Sequence, residues 1–417
     1  MFSMSKIPLP NARRILLFFI AGIALVGFGF WLGQQGIKVT GNFPQVTLNR
    51  ELPPEKNLNF SLFWDVWDIL HSNYLQKEKL NDADLVYGAI KGMVQAAGDP
   101  YSVFLSPQEQ KRTTEDLGGS FEGVGIQIGF KGTQLAVIAP LDGTPAKAAG
   151  LQAGDFILFI KDERRDIEKS TIGIDLPSAV DAIRGPAGTT VTLTISREGV
   201  NEPFEVTVAR AKIDVPSVEI SFLDDPTDGS RQVAHLKLLR FGETTDAEWG
   251  KAVSEIIGKT TGVTGIILDL RNNPGGFLSG SVSIASEFIR SGTIVIQEGS
   301  SGERQNFPAT GRARLNRYEV VVLVNKGSAS ASEIVAGALR DVLHFRLIGE
   351  TTFGKGTIQE AQELTGGAGL HITTAKWLTP NGTWVNEKGL DPDSEIEDNP
   401  DTEDDEQLQK AVEELTK

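Results

Sequence analysis

The amino-acid sequence predicts an α/β protein with more than one domain. From Val218 to Leu390, short apolar strands alternate with amphipathic helices, which is the pattern of a mixed β-sheet covered by helices. Within residues 118–212 strands dominate and two short helices interrupt them, so we expect a separate strand-rich domain there. The length of 417 residues exceeds that of one ordinary domain and agrees with this division.

The N-terminus has the features of a membrane anchor. Ile15–Leu32 contains no charged residue, and as a helix it would be about 27 Å long, close to the hydrocarbon thickness of a bilayer. Lys6, Arg13 and Arg14 precede it, so the start of the chain is expected in the cytoplasm. A cleaved signal peptide is the rival interpretation, but no A-x-A site follows the apolar run. We predict a cytoplasmic stub and single-pass transmembrane helix in residues 1–35, in a bacterial-type inner or cytoplasmic membrane, with the catalytic part periplasmic or at the cell surface.

Residues 36–57 are polar and contain prolines, which predicts a linker, and residues 58–117 follow with helical periodicity. Two apolar stripes predict two helices, and Ser106-Pro107 predicts the start of a third. The stripes need an apolar partner, either the body of the protein or a second subunit, so a homo-oligomer is one of two alternatives. The stripes consist of Phe63, Val66, Trp67, Leu70 and Tyr74, and of Leu85, Ala89, Ile90 and Met93.

The strand-rich domain is expected to contain helices at residues 145–150 and Leu176–Ile183. Its expected strands are Phe121–Ile128, Leu135–Ile138, Phe156–Ile160, Val191–Ile195 and Phe204–Val208.

Four segments of this domain together resemble a PDZ domain. They are Gly123–Ile126, Asp142–Leu151, Gln152–Asp155 and Arg184–Gly188. The resemblance implies a groove for the C-terminal tails of proteins. Backbone N–H groups of Val124, Gly125 and Ile126 would bind the terminal carboxylate, and the following strand edge would pair with the extended peptide. The alternative is that these glycines only form tight turns.

Residues 213–393 form the expected α/β core, with helices at Thr245–Ile257 and Ser279–Ile289. Continuous apolar strands such as Gly265–Leu270 and Val320–Val324 indicate that part of the sheet is parallel, since such strands are buried on both faces. Further strands are expected at His235–Leu239, Thr293–Ile296, Arg346–Ile348 and Leu370–Lys376.

A cluster of small hydroxyl residues follows the strand that ends at Val324, and a helix-prone segment comes next. A serine at such a turn lies beside the free N–H groups of the helix start, where a nucleophile and an oxyanion site can form together. Ser330 is the candidate nucleophile, and Ser328 and Ser332 are its competitors or serve as turn and capping residues.

Lys355 lies between two glycines and is the candidate general base, which requires burial or nearby positive charge to make the amine neutral. The neutral amide of Gln359 would orient this amine, either along a helix or across a turn. The Gly-rich turn Asp269–Gly276 is either a plain strand-to-helix turn or part of an oxyanion hole. In the second case the N–H of Gly275 or Gly276 would join that of Ala331.

Several motifs in this order resemble the C-terminal processing peptidases, the tail-specific serine protease family. They are N-K-G-S-A-S-A-S-E-I, D-L-R-N-N-P-G-G, F-G-K-G, T-P-N-G-T and G-L-D-P-D, and the resemblance covers about Phe60–Asp393. It implies a PDZ domain inserted ahead of a Ser/Lys core, with Ser330 as nucleophile, Lys355 as base and Gln359 as the supporting residue. It also implies a serine endopeptidase that captures protein C-terminal tails, cleaves through an acyl-enzyme and needs no cofactor.

Two other functions would each require sequence features of their own. A PDZ-bearing protease with a His/Asp/Ser triad would need a G-N-S-G-G-type loop, which the sequence lacks. A non-enzymatic PDZ scaffold with a decayed core would not need Ser330, Lys355 and Gln359 together. Arg184 is either an exposed surface charge or the residue that couples the PDZ groove to the Lys355–Gln359 segment.

Composition narrows the remaining possibilities. The absence of cysteine excludes disulfides and thiolate chemistry, and the four histidines show no zinc-binding spacing, so no metal site is predicted. His344 is expected to pack in the core. The net charge of −15 argues against nucleic-acid binding. Residues 394–417 are expected to form a solvated acidic tail that ends in a short helix at Leu408–Leu415.

Overall fold

A computed structural model of the chain describes residues 37–40, 45–48, 59–141, 143–174, 176–259, 262–397 and 404–417. The chain divides into an N-terminal unit that ends at Leu85 and a larger unit that begins at Val86. The predicted anchor Ile15–Leu32 lies outside the described residues. Among the helices that are described, none is long and apolar enough to cross a membrane.

The N-terminal unit contains strands β1 (Ile37–Thr40) and β2 (Gln45–Leu48), which pair antiparallel, and helix α1 (Ser61–Asn73). The first predicted helix is therefore confirmed, and none of its residues is buried. Leu62 is 72% exposed and Trp64 is 56% exposed. Helix α2 (Asp82–Gln95) begins in this unit, and the side chain of Asn81 accepts a hydrogen bond from Ala83 N–H at its start.

The predicted third helix is also confirmed, as α3 (Pro107–Gly118) in the larger unit. Ser106 precedes it, and the Glu109 carboxylate accepts hydrogen bonds from the Ser106 backbone N–H and hydroxyl. Strand β3 (Val103–Leu105) lies just before α3. The turn at residues 98–102 connects α2 to β3.

The strand-rich domain is an antiparallel sheet with strand order β10-β9-β7-β6-β5, and β8 pairs with β7. Its core contains Leu135, Ile157, Ile160, Leu193 and Ile195, which are completely or almost completely buried. Helices α4 (Pro145–Ala148) and α5 (Leu176–Ile183) agree with the prediction. The strands are β5 (Ile126–Lys131), β6 (Gln134–Pro140), β7 (Phe156–Asp162), β8 (Ile167–Ser170), β9 (Thr190–Ser196) and β10 (Phe204–Ala209).

The single strand predicted over Phe121–Ile128 is wrong. Strand β4 (Ser120–Gly123) pairs instead with β11 (Ala211–Asp214), and β5 starts a new sheet after a break at Gly125. Gly125 has φ 79°, and a Cβ there would lie 2.4 Å from Thr144 Cβ. The apolar alternation of the sequence continues past Gly125 and therefore predicts one strand. The left-handed backbone of Gly125 and the close approach of Thr144 interrupt that strand in the structure.

The α/β core contains a six-stranded sheet with order β12-β13-β14-β17-β18-β21. Strand β12 is antiparallel to β13, and the other neighbours are parallel, so the predicted parallel portion is confirmed. The strands are β12 (Val218–Asp224), β13 (Gln232–Leu238), β14 (Val263–Asp269), β17 (Glu319–Val324), β18 (Arg346–Gly349) and β21 (Ser394–Glu395).

Helices cover both faces of this sheet. Helices α6 (Thr245–Gly258), α7 (Leu278–Ala285) and α8 (Ala331–Leu343) share one apolar core with alternate strand residues such as Leu268 and Val322. The intervening residues, including Ile267 and Leu323, pack against α9 (Glu406–Leu415) on the other face. The predicted terminal helix is confirmed and is part of the folded core.

A second sheet has the order β16-β15-β20-β19, with β3 paired to β20. Its core strands are β15 (Thr293–Gly299), β16 (Arg304–Pro308), β19 (Thr357–Glu363) and β20 (Gly369–Leu378). The prediction that His344 packs in the core is wrong. His344 is exposed, and it ends α8 in the left-handed conformation with φ 57°.

Candidate active site

Ser330 lies at the turn between β17 and α8, with φ 55°, an uncommon value for a residue other than glycine. The two competing serines are fully buried and bonded within the turns: Ser328 Oγ donates to Leu270 O (2.8 Å), and Ser332 Oγ donates to Asn273 O (2.9 Å). Ser330 is half-buried and lines a cleft. Ser328 and Ser332 therefore stabilise the turns through buried hydrogen bonds, and Ser330 is the serine of the three that lines the cleft.

The Gly-rich turn after β14 lies directly against the Ser330 turn. Asn273 is completely buried, and its backbone carbonyl accepts a hydrogen bond from Ala329 N–H at 3.0 Å. Its side chain donates to Leu238 O and accepts from Gly275 N–H. A Cβ on Gly275, whose φ is 100°, would lie 2.8 Å from Ala329 O, so only glycine permits this approach.

The two glycines proposed for the oxyanion hole are not equivalent. Gly275 N–H is taken by Asn273 Oδ1 at 2.9 Å. In the described part of the chain, Gly276 N–H and Ala331 N–H have no acceptor, and both residues line the cleft beside Ser330. Ala331 is the first residue of α8, where N–H groups lack intrahelical partners. The available donors are therefore those of Gly276 and Ala331.

Lys355 lies on a tightly held loop after β18. Its N–H and that of Gly354 donate to the Glu333 carboxylate at 2.9 and 2.7 Å, and its carbonyl accepts from Trp377 Nε1 at 2.9 Å. The Lys355 amine lies 5.3 Å from the centre of the Tyr101 ring. The N–H and the carbonyl of Lys355 are thus both held by hydrogen bonds, and its amine lies beside the Tyr101 ring.

Burial lowers the pKa of the Lys355 amine, because desolvation disfavours its charged form. The carboxylates of Asp99 and Glu333 oppose this shift through their negative charge. Burial and the Lys355 charge together lower the pKa of His371, which also lines the cleft. Within the described residues Lys355 forms no ion pair, and its amine makes no hydrogen bond to Ser330 or Gln359.

Gln359 lies on β19, so the expectation of a helix or a simple turn between it and Lys355 is wrong. Its amide Nε2 donates to the hydroxyls of Thr357 (2.9 Å) and Thr373 (3.0 Å), which fixes the orientation of the side chain. Pairing of β19 with β20 is irregular between Ile358 and Gln359, where Thr374 of β20 has no partner on β19.

One cleft of about 570 Å³ brings together Ser330, Lys355, Gln359, Gly276 and Ala331. Much of its remaining wall is apolar, with contributions from Leu117, Phe277, Leu278, Ile334, Ile358 and Trp377. Sequence reasoning missed Asn273, Trp377, Tyr101 and the role of Glu333. A glutamate three residues after a helix-start serine is a capping-box signal and could have drawn attention to Glu333.

The proposed tail-binding groove has the expected exposed strand edge. Strand β5 is at the edge of its sheet, and α5 packs near it. Among the described residues, the N–H groups of Val124 and Gly125 find no acceptor, while the Gly125 carbonyl is held by Leu141 N–H and the Thr144 hydroxyl. Ile126 opens β5 next to this turn.

Arg184 contacts helix α3 rather than the Lys355–Gln359 segment. Its guanidinium lies 4.3 Å from the centre of the Phe121 ring, and Nη1 is 3.7 Å from Glu115 Oε2 on α3. A second ion pair, Arg112 with Asp181, also joins α3 to α5. Other α3 residues, including Leu117, line the cleft. Within the described residues, Arg184 therefore contacts Glu115 and Phe121, and its coupling to the Lys355–Gln359 segment stays a prediction.

Comparison with known proteins agrees with these features. The model of peptidase family S41 matches residues 232–396, that of the PDZ domain matches residues 109–196, and that of the activating protease CtpB N-terminal domain matches residues 27–109.

Among curated relatives, the carboxy-terminal processing protease CtpA of Bacillus subtilis is 35% identical over 92% of this chain and 78% of its own length. The carboxyl-terminal-processing protease of Synechocystis is 38% identical over 79% of this chain and 75% of its own length. The carboxy-terminal processing protease CtpB of Bacillus subtilis is 35% identical, and the match spans 65% of its length.

A solved photosystem II D1 C-terminal processing protease is 30% identical, with a TM-score of 0.50 over 84% of this chain and 91% of that one. A putative S41 protease from Bacteroides fragilis, 17% identical with a TM-score of 0.53, shares the fold over 88% of this chain and 99% of its own. The chain therefore belongs to the carboxy-terminal processing proteases of peptidase family S41, which are serine-type peptidases, and it carries a PDZ domain.

Proposed function

We propose that the protein is a serine endopeptidase that binds the C-terminal tails of proteins and cleaves them by a Ser/Lys mechanism. The observation that carries this proposal is the shared cleft, where the Ser330 turn, the Lys355 amine and the unbonded N–H groups of Gly276 and Ala331 meet. Burial lowers the pKa of the Lys355 amine, which favours the neutral form that a base requires.

In the proposed reaction, Ser330 Oγ attacks the peptide carbonyl carbon while the neutral Lys355 amine accepts the hydroxyl proton. Gly276 and Ala331 N–H groups donate to the oxyanion. The lysine then gives its proton to the leaving nitrogen, and an acyl-enzyme remains. Lys355 next takes a proton from water, which attacks the ester, and returns a proton to Ser330 Oγ as the new carboxyl group leaves. Gln359, held by two threonines, would orient the amine once substrate closes the site.

Tail capture is assigned to the edge of β5. An extended peptide would add a strand to β5 beside α5, and its terminal carboxylate would meet the N–H groups of the Val124–Ile126 turn. Because α5 is tied to α3 by the Arg112–Asp181 pair, and Arg184 contacts Glu115, occupation of this groove would move α3 at the cleft wall. Tail peptide should then stimulate cleavage of a short unrelated substrate. Arg184→Ala should bind the peptide but lose this stimulation, and an unchanged response would exclude Arg184.

The proposed setting is the outer side of a bacterial-type cytoplasmic membrane, with Ile15–Leu32 as the anchor. Carbonate extraction of membranes and the intact mass of the chain test both anchorage and cleavage of the N-terminus. The apolar exposed surface of α1 supports the formation of a homo-oligomer, which light scattering of the purified chain would detect.

The decisive experiment compares three serine-to-alanine variants by mass spectrometry of cleavage products. Ser330→Ala should show no cleavage while it retains the wild-type circular dichroism spectrum. Ser328→Ala and Ser332→Ala each lose a buried hydrogen bond, so we expect lower melting temperatures but continued cleavage by the folded fraction. Cleavage by Ser330→Ala would refute the proposed nucleophile.

A further inference from the structure

Glu333 is completely buried in the first turn of α8, and its carboxylate accepts four hydrogen bonds. Oε1 accepts from Thr352 Oγ1 (2.6 Å) and Gly354 N–H (2.7 Å). Oε2 accepts from Ser330 N–H (2.8 Å) and Lys355 N–H (2.9 Å). One carboxylate therefore bonds directly to the backbone of the proposed nucleophile and to that of the proposed base.

The partners of Glu333 require it to act as an acceptor. Three are backbone N–H groups, and the fourth is the Thr352 hydroxyl. That hydroxyl accepts from Leu390 N–H at 2.7 Å and donates to Glu333. Burial raises the pKa of the Glu333 carboxyl, but three of its four partners are backbone N–H groups, which can only donate, and their hydrogen bonds favour the ionised form. The arrangement is satisfied by the ionised carboxylate.

Most other buried carboxylates in the described part of the chain are paired with arginine, whereas Glu333 is not; Asp225, which accepts from the Thr227 and Thr264 hydroxyls, is a second exception. Asp155, Asp162, Asp269 and Glu287 are each almost completely buried, and each is paired with an arginine. Glu333 forms no ion pair within the described residues, and its charge is met by N–H groups and by the N-terminal end of α8. A buried charge without an ionic partner is costly, and this one bridges the segments that carry the proposed nucleophile and base, which indicates a functional role.

We propose that Glu333 is a positioning residue that fixes the Lys355 loop against the Ser330 turn and imposes its negative charge on the Lys355 amine. This inference rests on the proposed Ser/Lys mechanism and adds to Ser330, Lys355 and Gln359 a fourth residue, a carboxylate that touches neither substrate nor reacting atoms. It predicts two separable effects, one on the geometry of the site and one on the pH at which lysine becomes neutral.

The groups around the lysine determine the sign of the second effect. Asp99 and Tyr101 come from the turn before β3, His371 comes from β20, and Glu333 comes from α8, while Glu387 acts on Tyr101. The charges of Asp99 and Glu333 raise the pKa of Lys355 against the effect of burial. Removing the charge of Glu333 should therefore let the lysine lose its proton at lower pH.

The test is Glu333→Gln in the full chain, with kcat and KM measured on a peptide substrate across the pH range. The amide NH₂ would face donors, so the two hydrogen bonds to one of the two carboxylate oxygens would be lost. The Lys355 loop would then be misplaced relative to the Ser330 turn, which should lower the plateau of kcat about 100-fold with little change in KM. The acidic limb of the kcat/KM profile should move to lower pH by about one unit.

Glu287→Gln is the matched control, because Glu287 is an equally buried carboxylate but is bonded to Arg314 away from the cleft. Glu287→Gln should lower the melting temperature but leave the plateau of kcat and the acidic limb of the kcat/KM profile at their wild-type values. An unshifted limb in folded Glu333→Gln would overturn the proposal, as would an unchanged plateau.

Thr352→Val provides a second test if Glu333→Gln does not fold. It removes the hydroxyl that donates to Glu333 and accepts from Leu390 N–H, but it keeps the charge of Glu333. The plateau of kcat should therefore fall about tenfold without a shift of the acidic limb, and Thr352→Ser should restore it. Equal plateaus for wild type and Thr352→Val would overturn the proposal. Activity of Ser330→Ala or Lys355→Arg would instead refute the proposed function itself, so the two failures are distinguishable.

Discussion

Gly276→Ala should remove one of the two proposed oxyanion donors. Gly276 has φ 140°, and a Cβ there would lie 2.1 Å from the Phe241 carbonyl oxygen, which is backbone and itself accepts from Phe277 N–H. The turn must therefore move, and the Gly276 N–H moves with it. Loss of one such donor costs about 2.7–4 kcal/mol, or about 100- to 1,000-fold in kcat. The strained backbone adds a loss of folding stability of about 1–3 kcal/mol.

The assay is steady-state cleavage of a peptide, together with thermal unfolding of the same preparations. The change should appear in kcat and not in KM, because the donor acts on the transition state. Gly280→Ala is the control: Gly280 lies on α7, and its Cβ would contact the side chain, not the carbonyl, of the same Phe241 at 3.4 Å. It should keep activity and gain up to about 1 kcal/mol of stability. A folded Gly276→Ala variant with wild-type kcat would refute the assignment of this N–H to the oxyanion hole.

Three further predictions concern the base, the tail groove and the terminal helix. Since only the neutral amine accepts a proton, kcat/KM should rise with pH through the lowered pKa of Lys355, and Lys355→Arg should be inactive at every pH. With the Ser330→Ala chain, calorimetry should show that amidation of a tail peptide weakens binding about tenfold or more, and equal affinities would exclude carboxylate recognition. Asp405→Ala removes the cap of α9 and the bonds to Arg271, so urea unfolding should show a loss of about 1–3 kcal/mol.

The parallel sheet could be predicted because its strands are apolar on both faces. In β14, Ile266 and Leu268 pack under α6–α8, while Ile267 faces α9, so residues 265–268 form an uninterrupted run without polar side chains. Strand β19 gave no such signal. Its sequence TIQEAQE is polar and mostly exposed, and pairing with β20 rather than local preference makes it a strand. Strand β16, with sequence RQNFP, was missed for the same reason.

The residues of the site were predictable to different extents. Ser330 and Lys355 lie in glycine- and hydroxyl-rich turns whose composition is itself a signal. The role of Glu333 depends on donors from residues 352–355, a contact that no local pattern encodes. The preference for Gly276 over Gly275 depends on the Asn273 side chain, which accepts from Gly275 only in the folded turn. The apolar neighbours of His344 predict a core position, whereas in the structure His344 ends α8 in the left-handed conformation and is exposed.

The topology explains why residues so far apart in sequence meet. Strands β14, β17 and β18 are adjacent and parallel, so their carboxyl ends lie at one edge of the sheet. Gly276 follows the first, Ser330 the second and Lys355 the third. Each strand places the turn that follows it at this edge, but the strand alone does not set the distance between that turn and the other two. The bonds between turns supply that distance: Asn273 ties the first to the second, and Glu333 ties the second to the third. If this is how the site is built, substitutions at Asn273 should impair oxyanion stabilisation, and those at Glu333 should impair proton transfer, although neither side chain needs to touch the substrate.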